Sequence, residues 1–152
     1  MTLLLPCVAR AAVLAVLDVA LHARGRPVSS KELAARHALP PRRLESLLQA
    51  LVRAGVLKSL RGPSGGYELA KERRRLTLAD IARVALRVDE NDDAAERKIA
   101  LLSLEAAIAP TLQQIEADLF RLMEAVTLED LCIRARVVGF ESAEKTQADF
   151  EI

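Results

Sequence analysis

Apolar residues recur at helical spacing along most of this chain, and one stretch combines that spacing with a second pattern. Residues 40–70 read PPRRLESLLQALVRAGVLKSLRGPSGGYELA, and the first half repeats leucine at steps of three and four. Such spacing is typical of the buried side of a helix, here Leu44, Leu47, Leu48 and Leu51. After Ala54-Gly55, two short apolar runs at 56–60 and 67–70 flank the turn RGPSGG. The second half therefore predicts a β-hairpin.

Two helices are predicted before this stretch. The first spans residues 8–23, and its apolar spacing predicts a buried side formed by Val13, Val16, Leu17, Ala20 and Leu21. A Gly-Arg-Pro segment ends it. Ser29 and Glu32 then form an S-x-x-E capping box for a short helix at residues 30–37. A short helix, a turn, a longer helix and a hairpin, in this order, predict a winged helix-turn-helix.

The rest of the chain predicts further helices, so the fold class is mainly α with a small β-hairpin. Thr77 with Asp80, and Thr127 with Asp130, are spaced as caps for a helix through about residue 87 and for a last short helix. VDENDD at 88–93 is predicted to be a charged turn. Pro110 interrupts the intervening apolar pattern, which predicts either two helices, at 93–108 and 110–124, or one kinked helix.

The charge of the chain is divided between its two halves. Residues 1–87 hold 16 Lys/Arg and 6 Asp/Glu, a balance of +10, whereas residues 88–152 hold 6 and 15, a balance of −9. Because neutralising phosphates supplies most of the sequence-independent affinity for DNA, the first half is the one expected to face a polyanion. We therefore divide the chain into a DNA-binding domain at 1–87, a helical dimerisation region at 88–135 and a tail at 136–152 with no clear period, expected to be partly disordered.

The third helix leaves arginine, glutamine and serine opposite its leucines, and these residue types bind base edges and phosphates. For a charged helix taken alone, an ordinary solvated surface is the alternative interpretation. The position of this helix before a hairpin favours DNA binding. Arg61 at the hairpin tip is expected to enter a minor groove. For the basic run at 71–75, a solvated loop and a backbone contact both stay open. The predicted DNA-binding residues are Ser29, Ser30, Lys31, Arg42, Arg43, Glu45, Ser46, Gln49, Arg61, Gly62, Ser64 and Gly65.

An apolar series in the second half continues at steps of three and four over nearly four heptads. A series of that length on a small domain indicates a partner, most simply the same helix of a second copy; packing within one chain is the alternative. The predicted dimerisation residues are Leu101, Leu104, Ile108, Leu112, Ile115, Leu119 and Leu122.

With these residues in place, the chain resembles the winged-helix repressors of the IscR, NsrR and CymR type, the Rrf2 family. The resemblance is carried by AVLDVALHARGRPVSSKELAARHALP, by LESLLQALVRAGVLKSLRGPSGGYELA, and by LTLADI and VTLEDL. It implies a homodimeric bacterial transcription regulator that binds double-stranded DNA, with the third helix in the major groove and the hairpin in the minor groove. Many members hold an iron-sulfur cluster with three cysteines. Residues 88–109 contain no cysteine and no histidine, so we predict no cofactor and no metal.

Cys7 and Cys132 are the two cysteines of the chain, too few for a disulfide scaffold, and are predicted to be small buried apolar residues. A thiol switch across the dimer is the sharper alternative for them. His22 and His37 lie near helix ends without metal-like partners and are predicted to be incidental.

Several function classes are disfavoured by the sequence. The apolar start lacks a basic leading region and is interrupted by charge, so we interpret it as a core helix in a cytoplasmic protein without membrane partners. No hydrolase, nucleotide-binding or metalloprotease motif is present, and catalysis is not expected. A winged-helix module that binds a metabolic enzyme or another regulator is the alternative function. A small-molecule effector, a thiol event or a protein partner stays open as the signal.

Overall fold

The computed structural model describes residues 6–23, 25–37, 40–93 and 102–140, with side-chain surroundings up to residue 88 and again from 107. In these residues the chain is mainly α-helical with one antiparallel hairpin, as predicted. The helices are α1 (Cys7–His22), α2 (Ser30–His37), α3 (Pro41–Arg53), α4 (Leu78–Asp93), α5 (Leu102–Glu124) and α6 (Leu128–Val137). The strands are β1 (Leu57–Leu60) and β2 (Gly66–Leu69), followed by a 3₁₀ turn at Arg73–Arg75.

Helix α1 lies in the core and packs mainly against α4. Both helices bury alanines completely: α1 buries Ala9, Ala12 and Ala15, and α4 buries Ala79, Ala82 and Ala85. Small side chains let two helix backbones approach closely, which suits a chain with 3% aromatic residues. The predicted buried side of α1 is therefore partly wrong. Val16, Ala20 and Leu21 are buried, but Val13 and Leu17 are only partly so, because close packing selects the alanines.

Helices α2 and α3 follow the predicted pattern. Leu33 of α2 is fully buried, as are the four leucines of α3, each at most 2% exposed. The backbone of Val28, just before α2, pairs with Tyr67 of β2 through two hydrogen bonds of 3.0 and 2.8 Å. This pairing joins the start of the helix-turn-helix to the hairpin.

The helix α4 continues to Asp93, so the predicted turn at 88–93 is wrong. Asp and Asn are weak helix formers, but they do not stop an established helix as Gly or Pro does. The helix α5 runs through Pro110, which supports one helix over two. Residues 94–101, where part of the predicted helix at 93–108 falls, and the part of the tail beyond residue 140 lie outside the described residues.

Two similar segments, TLAD at 77–80 and TLED at 127–130, lie side by side in the fold. In each, the Thr hydroxyl accepts from the backbone N–H of the Asp, and the Asp carboxylate accepts from the Thr backbone N–H, as predicted. Thr77 and Thr127 also form an antiparallel bridge, with Leu78 N–H donating to Val126 O at 2.8 Å. Through this bridge α6 reaches the core, where Leu128 is fully buried.

Candidate nucleic-acid interface

The outer surface of α3 carries polar and charged side chains. Leucines on one side fix the helix against the core, and this leaves the predicted DNA-contacting residues exposed at its N-terminal end. These are Arg42, Arg43, Glu45, Ser46 and Gln49. Two guanidinium groups, an amide and a hydroxyl on one exposed surface are suited to base edges and phosphates.

Ser30 and Lys31 are exposed at the N-terminus of α2, and Ser30 lines a cavity next to the hairpin. Ser29 forms the capping box that the sequence predicts, while its predicted contact with DNA stays a prediction. Its hydroxyl lies 2.9 Å from Glu32 Oε2 and accepts from the Glu32 backbone N–H at 3.2 Å, completing the capping box. Because the backbone N–H of Ser29 also donates to this carboxylate, the pKa of Glu32 lies below its ordinary value; the Ser29 hydroxyl adds to the effect.

The hairpin turn exposes Arg61, Gly62 and Ser64. It is closed by the Gly65 N–H donating to Gly62 O at 2.9 Å, and Gly62 has a φ of +110°, which favours glycine. A Cβ on Gly65 would collide with the backbone carbonyl oxygens of Leu60 and Gly62. The hairpin turn is therefore narrow, and Arg61 is its first residue.

A cavity of about 240 Å³ lies between the N-terminus of α2 and the hairpin. Ser29, Ser30, Ser59 and Tyr67 are among the residues that line it. Burial raises the pKa of the Tyr67 hydroxyl, and the negative charge of Glu45 on α3 adds to this. Sequence reasoning missed Ser59 and Tyr67. The alternation of side chains in β1 and β2, which pairs Ser59 with Tyr67, could have indicated them.

A buried carboxylate holds α2 against α1, and this also was missed. Asp18 is 3% exposed; it accepts from Arg36 Nη1 at 2.6 Å and from His37 Nε2 at 2.7 Å. The Nδ1 atom of His22 lies 2.8 Å from Asp18 Oδ1, and Phe140, just after α6, packs edge-on against the His22 ring. The prediction that both histidines are incidental is wrong, because they satisfy a charge that would otherwise be costly to bury.

The basic run at 71–75 is partly accounted for within the fold. The Arg73 guanidinium donates to the carbonyl oxygen of Ala20 near the end of α1, while the 3₁₀ turn packs against α6. Lys71, Arg74 and Arg75 are exposed. Arg73 therefore has a structural role, while a solvated loop and a DNA backbone contact both stay open for the three exposed residues.

Along α5, four of the predicted dimerisation residues are exposed apolar side chains. Ile108, Leu112, Ile115 and Leu122 have 54–71% of their surface exposed. Leu119 is only partly exposed, since it packs against the core of its own chain. Leu101 lies outside the described residues, and nothing is described of the surroundings of the Leu104 side chain. The dimerisation set stays a prediction.

The chain is similar to known transcriptional regulators over most of its length. The family described as "Rrf2: Iron-dependent Transcriptional regulator" matches residues 7–134. The chain belongs to the Rrf2 family. IscR of Photorhabdus laumondii, an HTH-type transcriptional regulator, is 40% identical over 85 residues, which are 56% of this chain and 50% of that protein. The chain spans about half the length of the curated relatives it matches.

Two solved Rrf2-type structures share the fold over most of their length. T. potens IscR aligns with a TM-score of 0.69 and 27% identity, covering 96% of this chain and 98% of that chain. CymR, described as the global cysteine regulator of B. subtilis, aligns with a TM-score of 0.64 and 28% identity, covering 88% and 98%. The structural likeness therefore covers the long helix α5 as well as the winged helix-turn-helix.

The Rrf2 description raises the question of an iron site. Iron-sulfur clusters are held by thiolates, and the chain has two cysteines, neither within residues 88–109. Cys132 is buried in α6, and burial raises the pKa of its thiol; Cys7 at the start of α1 is exposed, so its predicted burial is wrong. Within the described residues, no group of three His, Cys, Asp or Glu side chains is arranged to hold a metal. These residues do not fit a three-thiolate cluster.

None of the helices in the described part of the chain combines the length and apolar composition that a bilayer span requires.

Proposed function

We propose that this protein is a homodimeric, sequence-specific DNA-binding transcriptional regulator that acts as a repressor in the cytoplasm. The observation that carries this proposal is the exposed polar surface of α3 beside a narrow hairpin with Arg61 at its tip. Membership of a family of transcriptional regulators supports it.

In the proposed complex, α3 lies in the major groove. A major groove admits one α-helix, and Arg42, Arg43 and Gln49 have the donors that read guanine and adenine edges. The N-terminus of α2 directs the exposed Ser30 and Lys31 to the flanking phosphates, where backbone N–H groups and the helix dipole favour negative charge. The hairpin inserts Arg61 into the adjacent minor groove.

The exposed apolar side chains of α5 support a dimer. Leaving four large aliphatic residues in water along one helix is unfavourable, and pairing α5 with its copy would bury them. A two-fold symmetric dimer places two recognition helices on a pseudo-palindromic operator. A monomeric state of the full chain at micromolar concentration would contradict this part of the proposal.

DNA binding is tested with duplexes selected by the full chain from a random library. Selected duplexes should bind at least a hundredfold more tightly than random DNA, and affinity should fall steeply as salt rises. Replacing Arg61 with Ala should weaken binding roughly tenfold without dissociating the dimer. The matched control is Arg136→Ala, which removes an exposed arginine of α6 and should leave DNA affinity unchanged. Equal affinity for selected and random DNA would refute sequence-specific recognition.

The dimer is tested with Leu112→Glu, which places a charge in the proposed interface. Light scattering should report a shift from twice 16.6 kDa towards 16.6 kDa. Gln114→Glu, an exposed position of α5 outside the apolar series, should leave the mass unchanged. Repression is tested in the source organism, where deletion should raise expression from promoters that carry the selected sequence.

A further inference from the structure

A cleft of about 580 Å³ separates α4 from α5. This volume is in the range of small-molecule sites, roughly 300–1,000 Å³. The apolar part of its wall is formed by Leu86 from α4 and by Ala117 and Phe120 from α5. Phe120 and Leu86 are partly buried against the core, so this wall is fixed by the fold.

Charged side chains surround that wall, with three arginines and two glutamates among the lining residues. The Arg83 guanidinium carbon lies 4.8 Å from the centre of the Phe120 ring, and Arg83 Nη2 lies 2.5 Å from Glu124 Oε1. Arg121 pairs at 3.0 Å with Asp118, and the Arg121 side chain is 72% exposed. An ion pair so exposed contributes little stability, so an incoming anion can replace Asp118 as its partner.

The cleft and the proposed dimer interface use different sides of α5. Gln113, Ala117, Phe120 and Glu124 line the cleft at steps of four, three and four. The apolar series begins five positions earlier, at Ile108, and follows the same steps through Leu112 and Ile115 to the partly exposed Leu119. Five residues of an α-helix correspond to a rotation of about 140°, so pairing through the apolar side leaves the cleft side directed away from the partner helix.

We propose that this cleft binds a small aromatic monoanion. The ring of the ligand packs on Phe120 and Ala117, and its carboxylate or sulfonate group pairs with Arg121, with Arg83 close by. The exposed guanidinium of Arg121 favours an anion, while the aromatic and aliphatic wall favours a ring over an inorganic ion. Such a ligand would contact both α5 and α4, and α4 packs against α1 and α3.

The probe for this site is 8-anilinonaphthalene-1-sulfonate, an aromatic monoanion whose fluorescence rises in apolar surroundings. Its uncharged analogue, N-phenyl-1-naphthylamine, tests the requirement for charge. The full chain should bind the sulfonate at one site per chain, at least tenfold more tightly than the uncharged analogue. The assay contains no DNA, so its failure is distinguishable from a failure of DNA binding.

Two exposed alanines of α5 provide matched variants. Ala117→Trp fills the cleft and should weaken sulfonate binding at least tenfold, whereas Ala107→Trp, outside the cleft, should leave it unchanged. Arg121→Gln, which changes a side chain that is 72% exposed, should weaken binding at least threefold. Leu112→Glu should leave the sulfonate affinity unchanged. A loss of affinity in this variant would mean that the dye binds the apolar side of α5. Wild-type affinity in Ala117→Trp, or equal affinity for both dyes with no effect of Arg121→Gln, would overturn the proposal.

Discussion

Replacing Asp18 with Asn tests whether the buried carboxylate holds α2 against α1. Asn keeps the shape and one oxygen, but it removes the charge that Arg36 and His37 now face at 2.6 and 2.7 Å. The amide nitrogen would also oppose a donor from one of these partners. A hydrogen bond to a charged group contributes about 1.5–3 kcal/mol, and breaking a buried ion pair costs about 3–5 kcal/mol. Because Arg36 is one-third exposed, we expect a loss of about 2–3 kcal/mol in the free energy of unfolding.

The assay is urea unfolding followed by circular dichroism at 222 nm, with an unchanged m value as the condition for comparing midpoints. For a chain of this size the loss corresponds to a melting temperature lower by about 4–12 °C. The control is Asp118→Asn, which removes a carboxylate from the exposed pair with Arg121 and should cost under about 0.5 kcal/mol.

A double-mutant cycle between Asp18→Asn and Arg36→Gln then separates the pair from its surroundings, and a coupling above about 1 kcal/mol is expected. If Asp18→Asn destabilised the protein no more than Asp118→Asn, the carboxylate would not be the link between α1 and α2. The reasoning from burial would then be refuted.

Single substitutions at Gly65, Glu32 and Cys7 test local features of the structure. Gly65→Ala should weaken DNA binding while leaving the mass of the dimer unchanged, because its Cβ collides with carbonyl oxygens of the hairpin; unchanged affinity would show that the turn tolerates the change. The backbone N–H and the hydroxyl of Ser29 lower the pKa of Glu32 below its ordinary value of 4.5. This cap therefore stabilises the fold above pH 4.5, and its contribution is lost as the pH falls through the lower pKa of the folded state. Urea midpoints measured between pH 6 and 3 should therefore fall less steeply for Glu32→Gln than for the wild type. A thiol reagent should modify one thiol per chain in a fast phase, because Cys7 is exposed whereas Cys132 is buried and has a raised pKa. Cys7→Ser should abolish the fast phase, and a fast phase that survives in this variant would contradict the prediction.

Features set by neighbouring residues could be predicted from the sequence. All three capping boxes form, because each needs only two side chains three residues apart. The hairpin was located to within one residue, since glycine and proline restrict where the chain can turn. The buried side of α3 followed directly from leucine spacing.

Features set by distant residues could not be predicted in this way. Asp18 looked like an ordinary interruption of an apolar helix, because its partners Arg36 and His37 lie on another element. The buried alanines of α1 were underrated because hydrophobicity alone does not show which helix packs closest. Cys7 was predicted to be buried, yet it lies exposed at the first residue of α1. For the candidate interface, the exposed residues of α3 and the hairpin tip could be located from the sequence, whereas Ser59 and Tyr67, which face each other across the hairpin, were missed.

The bridge between Thr77 and Thr127 has a consequence for synthesis of the protein. It joins residues fifty positions apart, and through it Leu128 and Cys132 enter the core around α1. When only the first hundred residues have left the ribosome, α3 is therefore exposed before α6 can pack into the core. We expect nascent chains to become resistant to protease only once α6 has left the exit tunnel, so that DNA-binding competence arises only after α6 has been synthesised.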